Sequence, residues 1–419
     1  MTHSEKMLLA LEQEDLAQAQ IELNEALRKD QSEILMELGE VLFSMGFLEE
    51  TQSIYETLIK RLPENEADFL LPLAEIAIEN DDIEAAFAYL EKIQPNSENY
   101  PSALLITADI YQVLGIPEVS EAKLKEAEKI LPEEPLITFA LAELYFSNQQ
   151  WSKAHEQYQK LLALKMEEVA GVALVERIGN LLSMQGDFEA SIPYLEAAVE
   201  KKETPDNLFQ LAFVQLQLKE NEKAIEALDK IRQLDPQYQA VYLYLAEALQ
   251  AEERLEEAQA VIEEGLKENP YQVDFYHFAS ENSYRLHDSK KAEQYLIDAL
   301  KTGEKEDETL LILSNLYLSE ELYEEAIEAV EAMENTDQPY ALWNLAQAYY
   351  QLEEFEQAAK FYAEASFSLQ DEADFLKEYG LFLREEGRLR EASEYLVNYL
   401  NLEPGDLEVL SILEDLQER

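Results

Sequence analysis

The sequence contains no cysteine, which excludes disulfides, thiol catalysis and thiolate metal sites. Basic residues are scarce: 32 Lys and Arg stand against 89 Asp and Glu, a formal charge of −57 over 419 residues. A field of that sign repels phosphates and anionic head groups, so direct binding to nucleic acid or to a membrane surface is disfavoured and a basic partner is the natural complement. Part of the charge has a plainer reading, because glutamate is a good helix former and keeps an extended helical surface soluble. Long apolar runs are missing too. None approaches the ~18 residues that cross a bilayer, and the opening MTHSEKMLLALEQEDLAQAQ has no basic n-region leading into an apolar stretch, so a cytoplasmic location is the default expectation. The four histidines, His3, His155, His277 and His287, make no pair at metal-ligand spacing, and no glycine-rich phosphate loop or nucleophile elbow occurs. No enzymatic activity, cofactor or metal is expected.

What the chain does contain is a repeated unit, plainest in PQYQAVYLYLAEALQAEERLEEAQAVIEEGLKENP from Pro236 to Pro270. Tyr242, Leu245, Ala246 and Leu249 form one helical stripe and Ala258, Ile262 and Gly265 a second, so each helix alone would leave an apolar face in water. The Ala258 position recurs as Ala19, Thr51, Ala86, Ser120, Ala154, Ser191, Ala224, Ala258, Ala292, Ala326, Ala358 and Ala392, all small. Four residues after each stands a large side chain: Leu23, Tyr55, Leu90, Leu124, Tyr158, Leu195, Leu228, Ile262, Leu296, Val330, Tyr362 and Leu396. Twelve residues before each, from the second copy onward, stand Gly39, Ala74, Ala108, Ala142, Gly179, Ala212, Ala246, Ser280, Ser314, Ala346 and Gly380. A close helix crossing needs a small residue where the axes approach and a large one where a hole must be filled, which gives the columns a physical reason.

This order of sizes resembles the tetratricopeptide repeat (TPR), whose signature places Leu, small and aromatic residues on a first helix and Ala, aromatic, Ala and Pro on and after a second. The resemblance covers nearly the whole chain and is closest to the large, multi-repeat bacterial cytoplasmic members of the family. It implies an all-α fold, a right-handed α-solenoid (superhelix) of about twelve helix-turn-helix repeats, with a closing helix over residues 406–419. The first repeat is the least faithful and suits a terminal cap with a wetted outer face. In the second, Gly46 sits in the inter-helix turn, where it permits positive φ. Pro117 stands in the first turn of a second helix, where proline is accepted.

The step from Ala154 to Ser191 is 37 residues against a modal 34, the excess falling in residues 164–176. It reads as a longer loop or an extra helical turn, and as a bend between sub-blocks 1–165 and 172–405 or a surface insertion without mechanical effect. The apolar side of the closing helix is expected at Leu407, Leu410, Ile412 and Leu413.

One residue round each first helix from the core stripe runs a second stripe. In the family this stripe faces a concave groove that binds peptides. Its middle column reads Glu40, Glu75, Asp109, Glu143, Asn180, Phe213, Glu247, Glu281, Asn315, Gln347 and Leu381, with no basic residue. Flanking positions supply Phe43, Phe139, Phe146, Phe209, Leu243, His277, Tyr284, Trp343 and Tyr350. Large apolar groups among carboxylates suit a protein or peptide with Lys or Arg between apolar anchors. The alternative for any one aromatic is burial by the next repeat. The family's best-known clamp for a partner's C-terminal carboxylate relies on inner Lys and Asn; here Asn180 and Asn315 keep the asparagine column, while the only comparable charges are His277, Arg285, Lys377 and Arg384. The expected role is an interaction scaffold for a basic, apolar-anchored segment; the alternative is a peptide sensor whose superhelix changes pitch on binding.

Overall fold

The protein is described here from a computed structural model covering residues 1–417. Helices follow one another in antiparallel pairs. Six pairs fill the first compact unit, Met1–Lys201: α1 (His3–Glu12) with α2 (Leu16–Lys29), α3 (Ser32–Ser44) with α4 (Leu48–Arg61), α5 (Glu66–Glu79) with α6 (Ile83–Leu90), α7 (Tyr100–Val113) with α8 (Pro117–Ile130), α9 (Pro135–Ser147) with α10 (Trp151–Ala163), and α11 (Leu174–Met184) with α12 (Phe188–Lys201). Six more begin the second unit, from Lys202 on: α13 (Pro205–Gln217) with α14 (Asn221–Leu234), α15 (Ala240–Ala251) with α16 (Leu255–Glu268), α17 (Val273–Arg285) with α18 (Ser289–Leu300), α19 (Glu306–Ser319) with α20 (Tyr323–Glu331), α21 (Pro339–Gln351) with α22 (Phe355–Ala365), and α23 (Ala373–Glu385) with α24 (Leu389–Leu402). Helix α25 (Leu407–Gln417) closes the series. Within each unit a second helix packs on the next first helix, and first helices such as α5, α7 and α9 also touch in succession. This is the TPR type of α-solenoid.

The three columns are the packing rule of the fold. Every member of the Ala258 column is at most 2 % exposed, from Ala19 and Thr51 to Ala392, and the large residue four positions on is buried in all twelve pairs. The third column explains why: a Cβ added to Gly179 would lie 2.7 Å from Leu195 Cδ2, and one added to Gly380 would lie 2.7 Å from Leu396 Cδ2. Small residues on the first helix therefore receive the large residues of the second.

The turn between the two helices of a pair also repeats. One residue in each is left-handed: Gly46, Gly115, Gly186 and Gly387, but equally Glu14, Asp81, Gln149, Lys219, Glu253, His287, Glu321 and Glu353, with φ between 57° and 62° in the eight non-glycine cases. A residue other than glycine gives up roughly 1–2 kcal/mol in that conformation, so in two turns of every three the packed hairpin overrides the residue's own preference.

The excess at 164–176 is a longer connection between α10 and α11 that carries a two-residue hairpin. Glu168–Val169 pairs antiparallel with Val172–Ala173, reversing through Ala170 and Gly171 at φ 50° and 79°. Val169 is buried in the cluster of Phe139, Tyr158, Leu161, Leu174 and Ile178, so the added residues are packed into the first unit. The division between the compact units falls one pair later, after Lys201.

At the other end, α25 buries Val409 and Leu413, while Leu407 and Leu410 are 76 % and 40 % exposed. Of the four residues expected on the apolar side, Leu413 is buried and Ile412 packs on the same cluster, whereas Val409 stands in for Leu407 and Leu410, a partial rotation of the face. The cap accounts for the rotation. Asp406 Oδ1 accepts from the backbone N–H of Glu408 and Val409 at 3.1 Å each, and its Oδ2 accepts from Lys377 Nζ at 2.7 Å and Tyr399 Oη at 2.9 Å. One carboxylate fixes the start of α25 to both helices of the preceding pair, and those contacts hold the Asp406 carboxyl far below the usual range. Glu418 and Arg419, the end of the expected closing helix, lie outside the described residues.

Candidate binding groove

The stripe one residue round from the core is only partly available, and the two units differ in how they use it. In the first unit Glu40, Glu75 and Asp109 are exposed on α3, α5 and α7, and among the described residues no cation or hydrogen-bond donor pairs with any of the three. Glu75 is open to solvent yet surrounded by protein, and loss of hydration raises its carboxyl above the ordinary value of 4.5. Beneath the carboxylates lies a hollow of about 380 Å³ between α5, α7 and α9, with Ile78, Leu105, Ile106, Leu136 and Ala140 as its apolar lining and Glu75, Glu79 and Asp109 at its edge. Leu136 is 44 % exposed, an apolar surface that nothing in the unit covers.

The acidic column ends at α9. Glu143 accepts a short hydrogen bond from Tyr158 Oη and lies 3.1 Å from Arg177 Nε of the next first helix, so its charge is already met. Arg177 was not among the groove cations picked out from the sequence; it lies three residues before Asn180, outside the columns followed there. Asn180 is half-buried and its Oδ1 has no hydrogen-bond partner within the protein. Phe139 corrects an expectation. It is 7 % exposed, its ring 6.4 Å from Tyr158, and belongs to the core. Phe43 and Phe146 stay half-buried, the latter edge-on to Trp151 at 5.4 Å.

In the second unit Glu247 and Glu281 are exposed and unpaired among the described residues. Loss of hydration, followed by repulsion from Glu281, raises the Glu247 carboxyl. Leu243 and Phe213 are half-buried beside them and Tyr284 is exposed, whereas Phe209 packs on Tyr238 and Tyr244 at 5.5 and 5.2 Å. His277 Nε2 lies 2.8 Å from Thr309 Oγ1, and burial lowers its pKa against the opposing pull of Glu308 and Asp274; it links α17 to α19.

The remaining groove residues are largely engaged with their neighbours. Asn344 donates to Asn315 Oδ1 and to Ser314 Oγ at 2.6 Å. Gln347 donates to Glu378 at 2.7 Å, Glu378 also accepts from Tyr362 Oη, and Tyr350 Oη donates to Glu385. Trp343 stands edge-on to Phe375 at 5.6 Å, its Nε1 buried without a partner. Tyr350 rests against Phe382 at 5.7 Å. A smaller hollow of about 210 Å³ remains between Leu318, Tyr323, Gln347, Tyr350, Gln351 and Glu378.

A tyrosine in the large-residue column therefore does more than fill a hole. Tyr158 and Tyr362 send hydroxyls to first-helix carboxylates, Glu143 and Glu378, and the Tyr55 hydroxyl is pushed up to about 12 by burial and by Glu40 and Glu75. The signal was available in the sequence: a buried tyrosine needs a partner for its hydroxyl, and Glu40 and Glu143 stand at one offset from Tyr55 and Tyr158.

With the geometry in view, comparison with known proteins gives a consistent result. Residues 339–406 match the profile for YpiA-like C-terminal tetratricopeptide repeats, 112–166 that for YpiA-like tetratricopeptide repeats, and 176–238 and 216–274 general tetratricopeptide repeat profiles. The TPR repeat-containing protein YpiA of Bacillus subtilis (strain 168) is 32 % identical over 396 residues, covering 94 % of this chain and 92 % of that protein. Among solved structures, a tetratricopeptide repeat protein from Parabacteroides merdae ATCC 43184 is 14 % identical with a TM-score of 0.46, covering 58 % of this chain and 97 % of its own. The APC/C hetero-tetramer Cut9-Hcn1 gives 13 % identity and a TM-score of 0.43 over 98 % of this chain and 95 % of that one. By its repeat columns, its paired helices and its relationship to YpiA along nearly the whole length, the chain belongs to the tetratricopeptide repeat family.

Proposed function

We propose that this protein is an interaction scaffold whose first-helix groove binds a basic protein segment carrying apolar anchors. Tetratricopeptide repeats are in general protein-protein interaction modules, which supplies the class of activity. The observation that carries the finer reading is the set of unpaired carboxylates, Glu40, Glu75 and Asp109 in one unit and Glu247 and Glu281 in the other. Glu75 and Glu247 are held partly dehydrated without a counter-charge, a state that an arriving Lys or Arg relieves. Elsewhere in the groove Arg177 or tyrosine hydroxyls already meet the carboxylates, so a basic segment is assigned to each of these two stretches taken by itself.

The test is a peptide array probed with the full chain at rising salt. Bound peptides should be rich in Lys and Arg, and binding should weaken steadily as ions screen the groove. Exposed charge pairs contribute roughly 0.2–1 kcal/mol each; Glu40→Gln, Glu75→Gln and Asp109→Asn together should then cost roughly 3-fold to 150-fold in affinity if their effects add. Binding indifferent to salt and to all three changes would overturn the reading.

A further inference from the structure

We infer that the hollow between α5, α7 and α9 is a register-setting subsite: it takes one aliphatic side chain of an extended partner segment whose flanking basic residues stand three positions apart. The inference rests on the basic-partner reading above and adds a spacing to it.

The lining divides by chemistry. Ile78, Leu105, Ile106, Leu136 and Ala140 offer an apolar surface, and every ionisable group at the hollow is a carboxylate: Glu75 and Glu79 from α5, Asp109 from α7. At about 380 Å³ the space holds a branched aliphatic side chain with room to spare, while the carboxylates at its edge disfavour an acidic one. The occupant is therefore an apolar residue bordered by cations.

The spacing follows from the scaffold. Helices α5 and α7 are in direct contact, and packed helices lie about 8–10 Å apart. Glu75 and Asp109 occupy one column of the repeat, so that separation is the step from one carboxylate to the next. A polyproline-type chain advances about 3.1 Å per residue and returns to the same face every third residue. Three residues cover one step. A basic residue over Glu75 is thus followed by a basic residue over Asp109 three positions along, with an aliphatic residue between them turned about 120° from the basic row, toward the hollow whose edge the carboxylates form. The run stops at α9, where Arg177 already occupies Glu143 and would repel a further cation.

The probe is a labelled synthetic peptide of alanine, serine and lysine, with lysine at every third position and one leucine between two lysines, measured against the full chain by fluorescence anisotropy. Its competitors are a peptide of identical composition with the lysines adjacent and one with the leucine replaced by serine. The spaced peptide should bind at least fivefold more tightly than the clustered one, and the leucine-to-serine change should weaken it about tenfold, the effect of burying one aliphatic side chain. Ala140→Phe, which fills the hollow, should abolish the preference for leucine while leaving the salt-dependent binding of lysine. A circular dichroism melt checks that this variant folds, and Asp109→Asn, at an exposed position, tests the spacing independently by reducing the advantage of the spaced peptide. Equal binding of spaced and clustered peptides, both lost in salt, overturns the register and leaves the basic-partner reading standing. Binding unaffected by the leucine or by Ala140→Phe overturns the hollow as its seat. If no lysine peptide binds, both readings fall.

Discussion

Replacing the glycine of the third column tests the packing rule most directly. In Gly179→Ala the new Cβ would stand 2.7 Å from Leu195 Cδ2, 2.9 Å from Leu195 Cγ and 3.3 Å from the Leu195 backbone nitrogen; in Gly380→Ala the same three atoms of Leu396 stand at 2.7, 2.9 and 3.4 Å. Carbon atoms prefer about 3.5–4.0 Å, so the approach is short by nearly 1 Å. Turning the leucine relieves the two side-chain contacts but not the third, because the backbone nitrogen belongs to the helix itself. The crossing has to open. Overpacking of this kind costs typically ~1–3 kcal/mol, and replacing a mid-helix glycine by alanine returns ~0.8–1.0 kcal/mol. Ala74 opposite Leu90 and Ala108 opposite Leu124 are buried in this same fold, which shows the hairpin a wider geometry to relax into and keeps the cost below the top of that range, at about 2 kcal/mol. The expected net loss is about 1 kcal/mol, a fall of roughly 2–4 °C in the melting temperature of a unit this size. In Gly39→Ala the near atoms are side-chain only, Tyr55 Cε1 at 2.7 Å and Ile54 Cγ2 at 3.3 Å, so the loss should be smaller. The assay is thermal unfolding by circular dichroism with a double-mutant cycle, in which Gly179→Ala combined with Leu195→Ala should cost less than the two changes summed. A gain of about 1 kcal/mol in Gly179→Ala, the bare helix-propensity effect, would refute the close crossing.

Two further outcomes follow from groove chemistry. Loss of hydration sets the Glu75 and Glu247 carboxyls above 4.5 in the folded state, so folded protein retains these protons to higher pH than the unfolded chain; stability is fully present below 4.5 and is lost as pH rises through the folded value. Glu75→Gln and Glu247→Gln should therefore raise the urea midpoint at pH 7 relative to wild type, by more than at pH 4; an equal difference at both pH values would contradict the dehydration argument. Tyr158→Phe removes the hydroxyl that Glu143 accepts from while leaving the Arg177 contact at 3.1 Å, so it should destabilise by about 1 kcal/mol in chemical denaturation, whereas no change would mean that the hydroxyl is not holding the carboxylate.

The three packing columns were legible in the sequence because they express one geometric demand repeated twelve times, and size alone answers it. Groove occupancy was less legible because it depends on single residues that no column repeats. Arg177 neutralises Glu143 from the following repeat, and Phe139 is drawn into the core beside Tyr158; neither follows from its own helix. Half of the α25 face was misplaced for a similar reason: Ile412 and Leu413 pack as expected, while Leu407 and Leu410 do not. Its four apolar candidates read equally well on either side until the Asp406 cap and its bonds to Lys377 and Tyr399 fix the rotation. The insertion at 164–176 was visible as an excess of length, but its strand pairing was not, since two residues per strand leave no alternation to read.

The left-handed turns give the molecule built-in local reporters. At Lys219, Glu253, His287 and the five other non-glycine positions the backbone is left-handed only while the hairpin around it is packed, and a released chain returns such residues to negative φ. Each turn residue should thus report through its backbone chemical shift whether its own pair of helices is folded. Eight sites distributed over both units would allow the melting of individual repeats, or their tightening around a captured segment, to be followed without any attached label.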